Sequence, residues 1–427
     1  MSANLEVRHR RASAGGLTPP PPRDPALTGM RAVAALLVVG THAAFATGYL
    51  NHGYAGMMYA RMEIGVAIFF VLSGFLLFRP WVRAVADGSP APSLSRYGRQ
   101  RVRRILPGYA VAVVVTFAIY TVFTPGPNPG QTWYGLFRYL TFTQIYTENY
   151  LTTLLHPGLS QMWSMAVEVA FYAALPVFAY LVLRVLCGGR WRPRRALWGL
   201  AALAAVTPAW LVLVATTSDS VLPNSAGMWL PAHLAWFAGG MALAVLQAAG
   251  ARCAARIALP LAVGLYLVVS SPVGGSMLGP DPTWVPMAKS ALYAAIATLA
   301  VAPLALGDRG WYQQMLSSRP MVWLGEISYE IFLLHSVAMA LALHLVLGWQ
   351  LFTGSMPGLI VTTLALTIPA AWLLHRVTRP QASPSTSARS DGTSAASARA
   401  RCEDASFSAG LSSAAVLAVP AGRSTGS

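Results

Sequence analysis

Long apolar runs separated by short polar stretches dominate the chain. About 20 apolar residues are needed to cross the hydrocarbon core of a bilayer. Windows of that kind recur at 29–50, 64–82, 105–124, 163–186, 196–216, 228–248, 256–273, 286–306, 326–347 and 355–376. They predict an all-α integral membrane protein with about ten transmembrane helices, of which 256–273 is the shortest. Residues 1–28, with the run Pro19–Pro22, read as a flexible cytoplasmic arm, and 29–380 as the transmembrane domain. Residues 381–427 are rich in Ser, Ala and Arg and read as a disordered cytoplasmic tail, with 411–420 mildly apolar. A rival reading of the first window is a cleaved signal peptide with Ala44-Phe45-Ala46 as its site. The long arm before it and the many later spans argue against cleavage.

Composition agrees with this pattern. Of 427 residues, 55% are hydrophobic and 10% charged, and the mean hydropathy is +0.53. A soluble domain carries roughly 25% charged residues, so a water-soluble globule of this size is excluded. A net charge of +16 first points to nucleic acid, and position decides against it. All the basic residues but Lys289 are arginines. They gather on alternate connections: Arg8, Arg10, Arg11 and Arg23 before the first span, Arg83 to Arg104 after the second, and Arg190 to Arg195 after the fourth. Arg252 follows the sixth span, Arg309 and Arg319 the eighth, and Arg379 the tenth. The opposite connections hold Arg61 and Arg138, with Lys289 near a span edge. By the positive-inside rule this alternation orients ten spans with both termini in the cytoplasm, in a bacterial inner (cytoplasmic) membrane. It accounts for the charge with no nucleic-acid partner. Cys187, Cys253 and Cys402 fall at or inside the cytoplasmic edge, where reduced thiols are expected. Their spacing is no zinc site, and no metal is expected.

Ionisable groups inside a span are costly and are functional candidates by default. The first span carries Arg31 and, eleven residues on, His42. Eleven steps of ~100° make about three full turns, so both lie on one face, ~16 Å apart. With the N-terminus inside, Arg31 sits at the cytoplasmic mouth as an anion clamp and His42 near mid-membrane as a titratable imidazole. A structural histidine bonded to a neighbouring helix is the plainer alternative. Glu168, on one face with Ser164, is either a proton shuttle or histidine partner, or polar glue between helices. Ser73 beside Gly74 is either part of a site or a serine bonded back to its own helix. No G-x-S-x-G elbow surrounds Ser73 or Ser160, which argues against a serine-hydrolase nucleophile.

Five blocks in order resemble the membrane-bound acyltransferase-3 family. They are Arg31-x10-His42; Gly65 to Leu77, similar to the family's FFVLSGFLL helix; and Arg101 to Pro107, similar to its cytoplasmic RxxR block. Trp163 to Glu168 resembles the WSLxxE motif, and Leu324 to His335 the GxISYxxYLxH segment. The resemblance covers about residues 28–380. It implies transfer of an acyl group, acetyl or another short acyl, from acyl-CoA to an acceptor hydroxyl, with the histidine at His42 essential. Acyl-CoA, with acetyl-CoA the expected donor, is then a substrate, and no cofactor is bound permanently. The catalytic candidates are His42, as general base or transient acyl carrier, Arg31 and Glu168. Arg101 and Arg104 are candidates for the donor's phosphates, because arginine forks bind phosphate bidentately. Ser73 and Trp163 are candidates for the wall of the substrate channel, and Tyr329 and His335 for the acceptor side. Taken alone, His335 divides evenly between a satisfied core residue and a site.

Arg96, Arg99 and Arg103 read as topology, and His344 and His375 as structural or interfacial. Glu63 and Glu330 are carboxylates at membrane edges without an evident partner. The aromatic stretch 125–162 reads as an interfacial half-helix or as a lid over a ring-shaped acceptor. Family members modify polysaccharides, peptidoglycan, glycolipids and macrolide hydroxyls, so the acceptor is expected to be a carbohydrate, glycolipid or macrolide-type metabolite. Two departures stand out. The last span ends in Thr378-Arg379-Pro380 where an acidic residue often precedes the proline, and no hydrolase-like domain of the kind carried by longer members is expected. The competing class is a proton-coupled membrane transporter using the same His and Glu. Nothing in the chain shows the inverted repeats of such proteins.

Overall fold

The structure is a computed structural model and describes residues 24–218, 221–276 and 281–378. The expected tail 381–427, Cys402 and residues 1–23 of the expected arm lie outside the described residues. Among the described residues the secondary structure is helical throughout. Ten principal helices correspond to the ten predicted windows: α1 Pro25–Ala46, α2 Ile64–Ala86, α3 Leu94–Tyr120, α4 Trp163–Ala179, α5 Pro193–Thr216, α6 Leu234–Ala248, α7 Ala255–Val269, α8 Trp284–Ala305, α9 Ser328–Leu341 and α10 Met356–Thr378. Nine helical segments are long and apolar enough to cross a membrane. The exception is α7, whose 15 residues rise only ~22 Å against a core of about 30 Å. It stops short of the predicted 273 because Ser270 and Ser271 bond back to the last turn and Pro272 opens a separate 3₁₀ turn.

Capping explains two further shifts from the apolar windows. Helix α1 begins at Pro25, not 29, because the Asp24 carboxylate accepts the N–H groups of Ala26 and Leu27 and proline suits the first position. It ends at Ala46, where Thr47 caps the chain and Gly48 takes φ +73°. His42 therefore lies four residues from the far end of α1. Helix α3 begins at Leu94, capped by Ser93, so the arginine-rich connection is largely helical.

Packing puts α1 at the centre. Two-thirds of its apolar window is buried (67%), against 11% for the peripheral α5. Close approach relies on glycines. A Cβ at Gly65 would sit 2.3 Å from the Ala34 carbonyl oxygen, and at Gly240 1.9 Å from that of Val71, so α2 lies backbone-to-backbone on α1 and α6. At the arginine-bearing end, Gly29 abuts Leu316 and Gly325 abuts Thr28.

At the same end Asp308 accepts the Ala255 N–H at the start of α7, 2.7 Å, and the Gly310 N–H, 3.0 Å. These N–H donors hold its carboxyl below the ordinary aspartate range. A carboxyl that is more acidic when folded stabilises fully above its unfolded pKa of about 3.9, and that contribution fades as pH falls through the folded value. The difference in apparent Tm between the native protein and Asp308→Asn is expected to be constant near neutrality and to shrink below about pH 4. Thermal unfolding in lipid discs across pH checks this, and a difference unchanged at pH 3 contradicts it.

Candidate active site

The far end of α1, α3 and α9 and the near end of α2, α4, α6 and α8 enclose a cavity of about 910 Å³. It lies in the half of the bundle away from Asp24 and the arginine-bearing loops. Its size fits a drug-sized or glycosylated ligand, and its lining is mainly apolar. Into it face His42, Glu63, Trp163, His233, Lys289 and Ser290, among others.

His42 stands edge-on to His335, with ring centroids 5.1 Å apart and planes at 70°. His335 is fully buried, and its Nδ1 lies 2.8 Å from the Phe332 carbonyl oxygen. A carbonyl only accepts, so that contact assigns the proton to Nδ1 and leaves Nε2 as the acceptor, 3.4 Å from the Ser336 hydroxyl. His335 is thus both a satisfied core residue and the packing partner of His42. His42 itself makes no hydrogen bond among the described residues, unlike the structural histidine of the plainer reading, and its ring lines the cavity.

The carboxylate within Coulombic reach of His42 is Glu63 rather than Glu168. Glu63 Oε1 receives Lys289 Nζ at 2.5 Å and the Tyr293 hydroxyl at 2.9 Å, with Arg61 at 3.9 Å. Thr41, next to His42, donates to the Ala60 carbonyl and so fastens this turn to α1. Sequence reasoning left Glu63 without a partner. The available signal was charge sign: Lys289 is the chain's one lysine and sits at a span edge. Glu330, likewise unassigned, lies 3.2 Å from His375.

The other predicted residues form a second cluster toward the arginine-bearing end. Glu168 accepts from Ser73 at 2.6 Å and from Tyr172 at 2.5 Å, and lies outside the cavity wall. Tyr97, one turn before Arg101, donates to the Tyr172 carbonyl. Arg101 is half-buried beside Tyr172 and Glu168, with no hydrogen bond to its Nε among the described residues, whereas Arg104 is exposed. Arg31 is half-buried on α1. Tyr329 donates to the Ile105 carbonyl, 2.9 Å, bridging α9 to α3. Trp163 packs on His233 at 5.1 Å in the cavity wall. The structure therefore joins His42 with His335, and Ser73 with Glu168, and separates the two pairs.

The aromatic stretch folds as a cap. Tyr139 bonds Tyr150 and Leu154, the Tyr109 hydroxyl donates to the Tyr139 carbonyl, and Tyr150, Leu151 and Leu155 roof the cavity. Trp133, Tyr134 and Phe137 face outward, as an interfacial belt does.

The fold is that of a multi-pass membrane protein. Residues 24–376 match the acyltransferase-3 family of acyltransferase domains, and the chain belongs to that family. It is 28% identical over 379 residues to acyltransferase MdmB of Streptomyces mycarofaciens, covering 83% of this chain and 90% of that one. It is 29% identical over 173 residues to peptidoglycan O-acetyltransferase OatA of Listeria monocytogenes, 38% of this chain and 25% of that one. No solved structure matches the chain. The protein is thus a membrane acyltransferase.

Proposed function

We propose that the protein transfers an acetyl or other short acyl group from acyl-CoA to a hydroxyl of a carbohydrate, glycolipid or macrolide-type acceptor. The observation that carries this reading is His42, without a hydrogen bond among the described residues and lining a cavity large enough for such an acceptor. By the positive-inside rule the arginine-bearing end faces the cytoplasm, which supplies acyl-CoA, and the membrane is the cytoplasmic one. Arg31, Arg101 and Arg104 bind the donor's phosphates. Glu168, held by Ser73 and Tyr172, orients Arg101. The donor's arm then spans the ~16 Å from Arg31 to His42.

His42 acts as general base. It accepts the acceptor's hydroxyl proton while that oxygen attacks the thioester carbonyl. The C–O bond forms, the C–S bond breaks, and the proton passes from the imidazolium to the departing CoA thiolate. His335 holds the His42 ring edge-on for this exchange. The apolar walls exclude water that would hydrolyse the thioester.

In lipid discs with acetyl-CoA and a panel of hydroxylated acceptors (a glycolipid, a phenyl glycoside, a macrolide), acceptor-dependent CoA release is expected. Arg101→Ala is expected to raise KM for acetyl-CoA about tenfold and to leave KM for the acceptor unchanged. Solute uptake into liposomes without acetyl-CoA, with no CoA release on any acceptor, would instead make the protein a transporter.

A further inference from the structure

We infer that His233, Ser290, Lys289 and Glu63 form a sugar-binding subsite in the cavity, a specificity-determining site that presents one hydroxyl of the acceptor's sugar ring to His42. The inference rests on the acyl-transfer reading above and adds the moiety that the site recognises. Four side chains from three separate segments converge there. Ser290 and Lys289 are neighbours on α8, the Trp236 indole of α6 donates to the Ser290 carbonyl at 3.0 Å, and His233 packs on Trp236 at 4.6 Å. Glu63, just before α2, joins through Lys289.

Each of these residues has polar capacity that the protein leaves unused. Among the described residues neither ring nitrogen of His233 nor the Ser290 hydroxyl has a hydrogen-bond partner, although His233 is 9% and Ser290 7% exposed. Buried polar groups are nearly always bonded, so three such atoms, closed to solvent in side chains that line one cavity, mark a place where the side chains turn to a ligand that supplies the partners. Among the described residues Lys289 Nζ pairs with Glu63 and lies over the Tyr293 ring, 5.6 Å from its centroid, and the contacts of Glu63 all fall on Oε1, so ammonium protons and Oε2 remain for further hydrogen bonds. Their side chains are 29% and 37% exposed. The wall thus offers donors from the lysine, acceptors from the carboxylate, and two-way groups from the serine and histidine.

That mixture suits a ring bearing several adjacent hydroxyls, each both donor and acceptor. A monohydroxylic lipid satisfies one of these groups, and a simple anion meets the Glu63 carboxylate. Trp236 and Trp163 also line the cavity and add the apolar aromatic surface that suits the ring's C–H face. Glu63 and His42 line the same cavity, which is how a ring held at this subsite presents a hydroxyl to the base.

The test is equilibrium dialysis of the full chain in lipid discs, with phenyl β-D-glucopyranoside against 2-phenylethanol, which keeps the aromatic group and one hydroxyl. The native protein is expected to bind the glucoside at least about tenfold more tightly. Lys289→Met and His233→Phe are each expected to weaken glucoside binding about tenfold and to leave 2-phenylethanol unchanged. His233→Phe keeps the ring in its aromatic cage and strands no partner, so it reads the subsite even if Lys289→Met fails to fold. Equal binding of the two ligands to the native protein, or variants that weaken both ligands or neither, would overturn the subsite and leave these polar atoms to water. The two readings fail separately. Loss of the binding difference with CoA release intact removes the subsite alone, whereas a binding difference without CoA release removes the acyl-transfer reading.

Discussion

His42→Ala is expected to lower acceptor-dependent CoA release by about 10²–10⁴-fold, the range that a positioned general base contributes. The loss should fall on kcat, with KM for acetyl-CoA little changed, because the proposed phosphate site near Arg31 is ~16 Å away along α1. Stability should hold. His42 has no hydrogen bond among the described residues, so truncation strands no partner. The rate profile with pH should lose, in the variant, the limb that rises from acid pH as the base gives up its proton. Initial rates of CoA thiol release against donor concentration read both numbers. A fall in kcat below about threefold would move the proton transfer to another group.

The second large effect is on folding. Arg61 is fully buried and sends Nε to the Val269 carbonyl at 3.0 Å and Nη2 to the Gly275 carbonyl at 2.6 Å, with Nη1 3.9 Å from Glu63. One guanidinium therefore ties the turn before α2 to the segment between α7 and α8. Gly274 is placed against it, since a Cβ there would meet the Val269 carbonyl at 2.0 Å and Arg61 Nε at 3.1 Å. Arg61→Met keeps much of the volume and strands two carbonyls and part of a carboxylate in the interior. Removing one partner of a buried charged network costs about 3–5 kcal/mol. The apparent Tm should drop by roughly 10 °C, and Arg61→Lys should not rescue it, because an ammonium cannot fork to both carbonyls. Thermal unfolding in lipid discs measures this. A drop under about 2 °C would mean that the α7–α8 segment is held by other contacts.

Much of this architecture was legible in the sequence because its signal is local. Each apolar run announces its helix, and eleven residues at ~100° place Arg31 and His42 on one face without knowledge of any neighbour. Helix limits were less legible. Windows of hydropathy pass over Asp24-Pro25, a capping signal in polar residues, and over Leu94 to Arg104, where arginines occupy the first turns of a helix. Pairings between helices were least legible of all. His42 meets His335 only because α9 packs beside α1, and Tyr293 reaches Glu63 across 230 residues. Glu168 shows the same limit from the other side: helical spacing paired it with Ser164, which instead bonds the Gln161 carbonyl, while Ser73 arrives from α2. A residue such as His233, whose meaning lies in having no hydrogen-bond partner among the described residues, carries no sequence signal at all.

The central claim is that His42 delivers an acyl group from a donor held at the arginine-bearing end to an acceptor in the cavity at the other end. Sealed vesicles test it most directly, with the protein inserted in one orientation and [¹⁴C]acetyl-CoA confined to the side of the arginine-bearing loops. The acceptor panel is supplied only on the opposite side, and label in the acceptor is counted for native protein and His42→Ala. The account predicts labelled acceptor across the membrane from its donor, one CoA released per acetyl transferred, and loss of both in the variant. Label appearing only when donor and acceptor share a side, or appearing equally with His42→Ala, would contradict it.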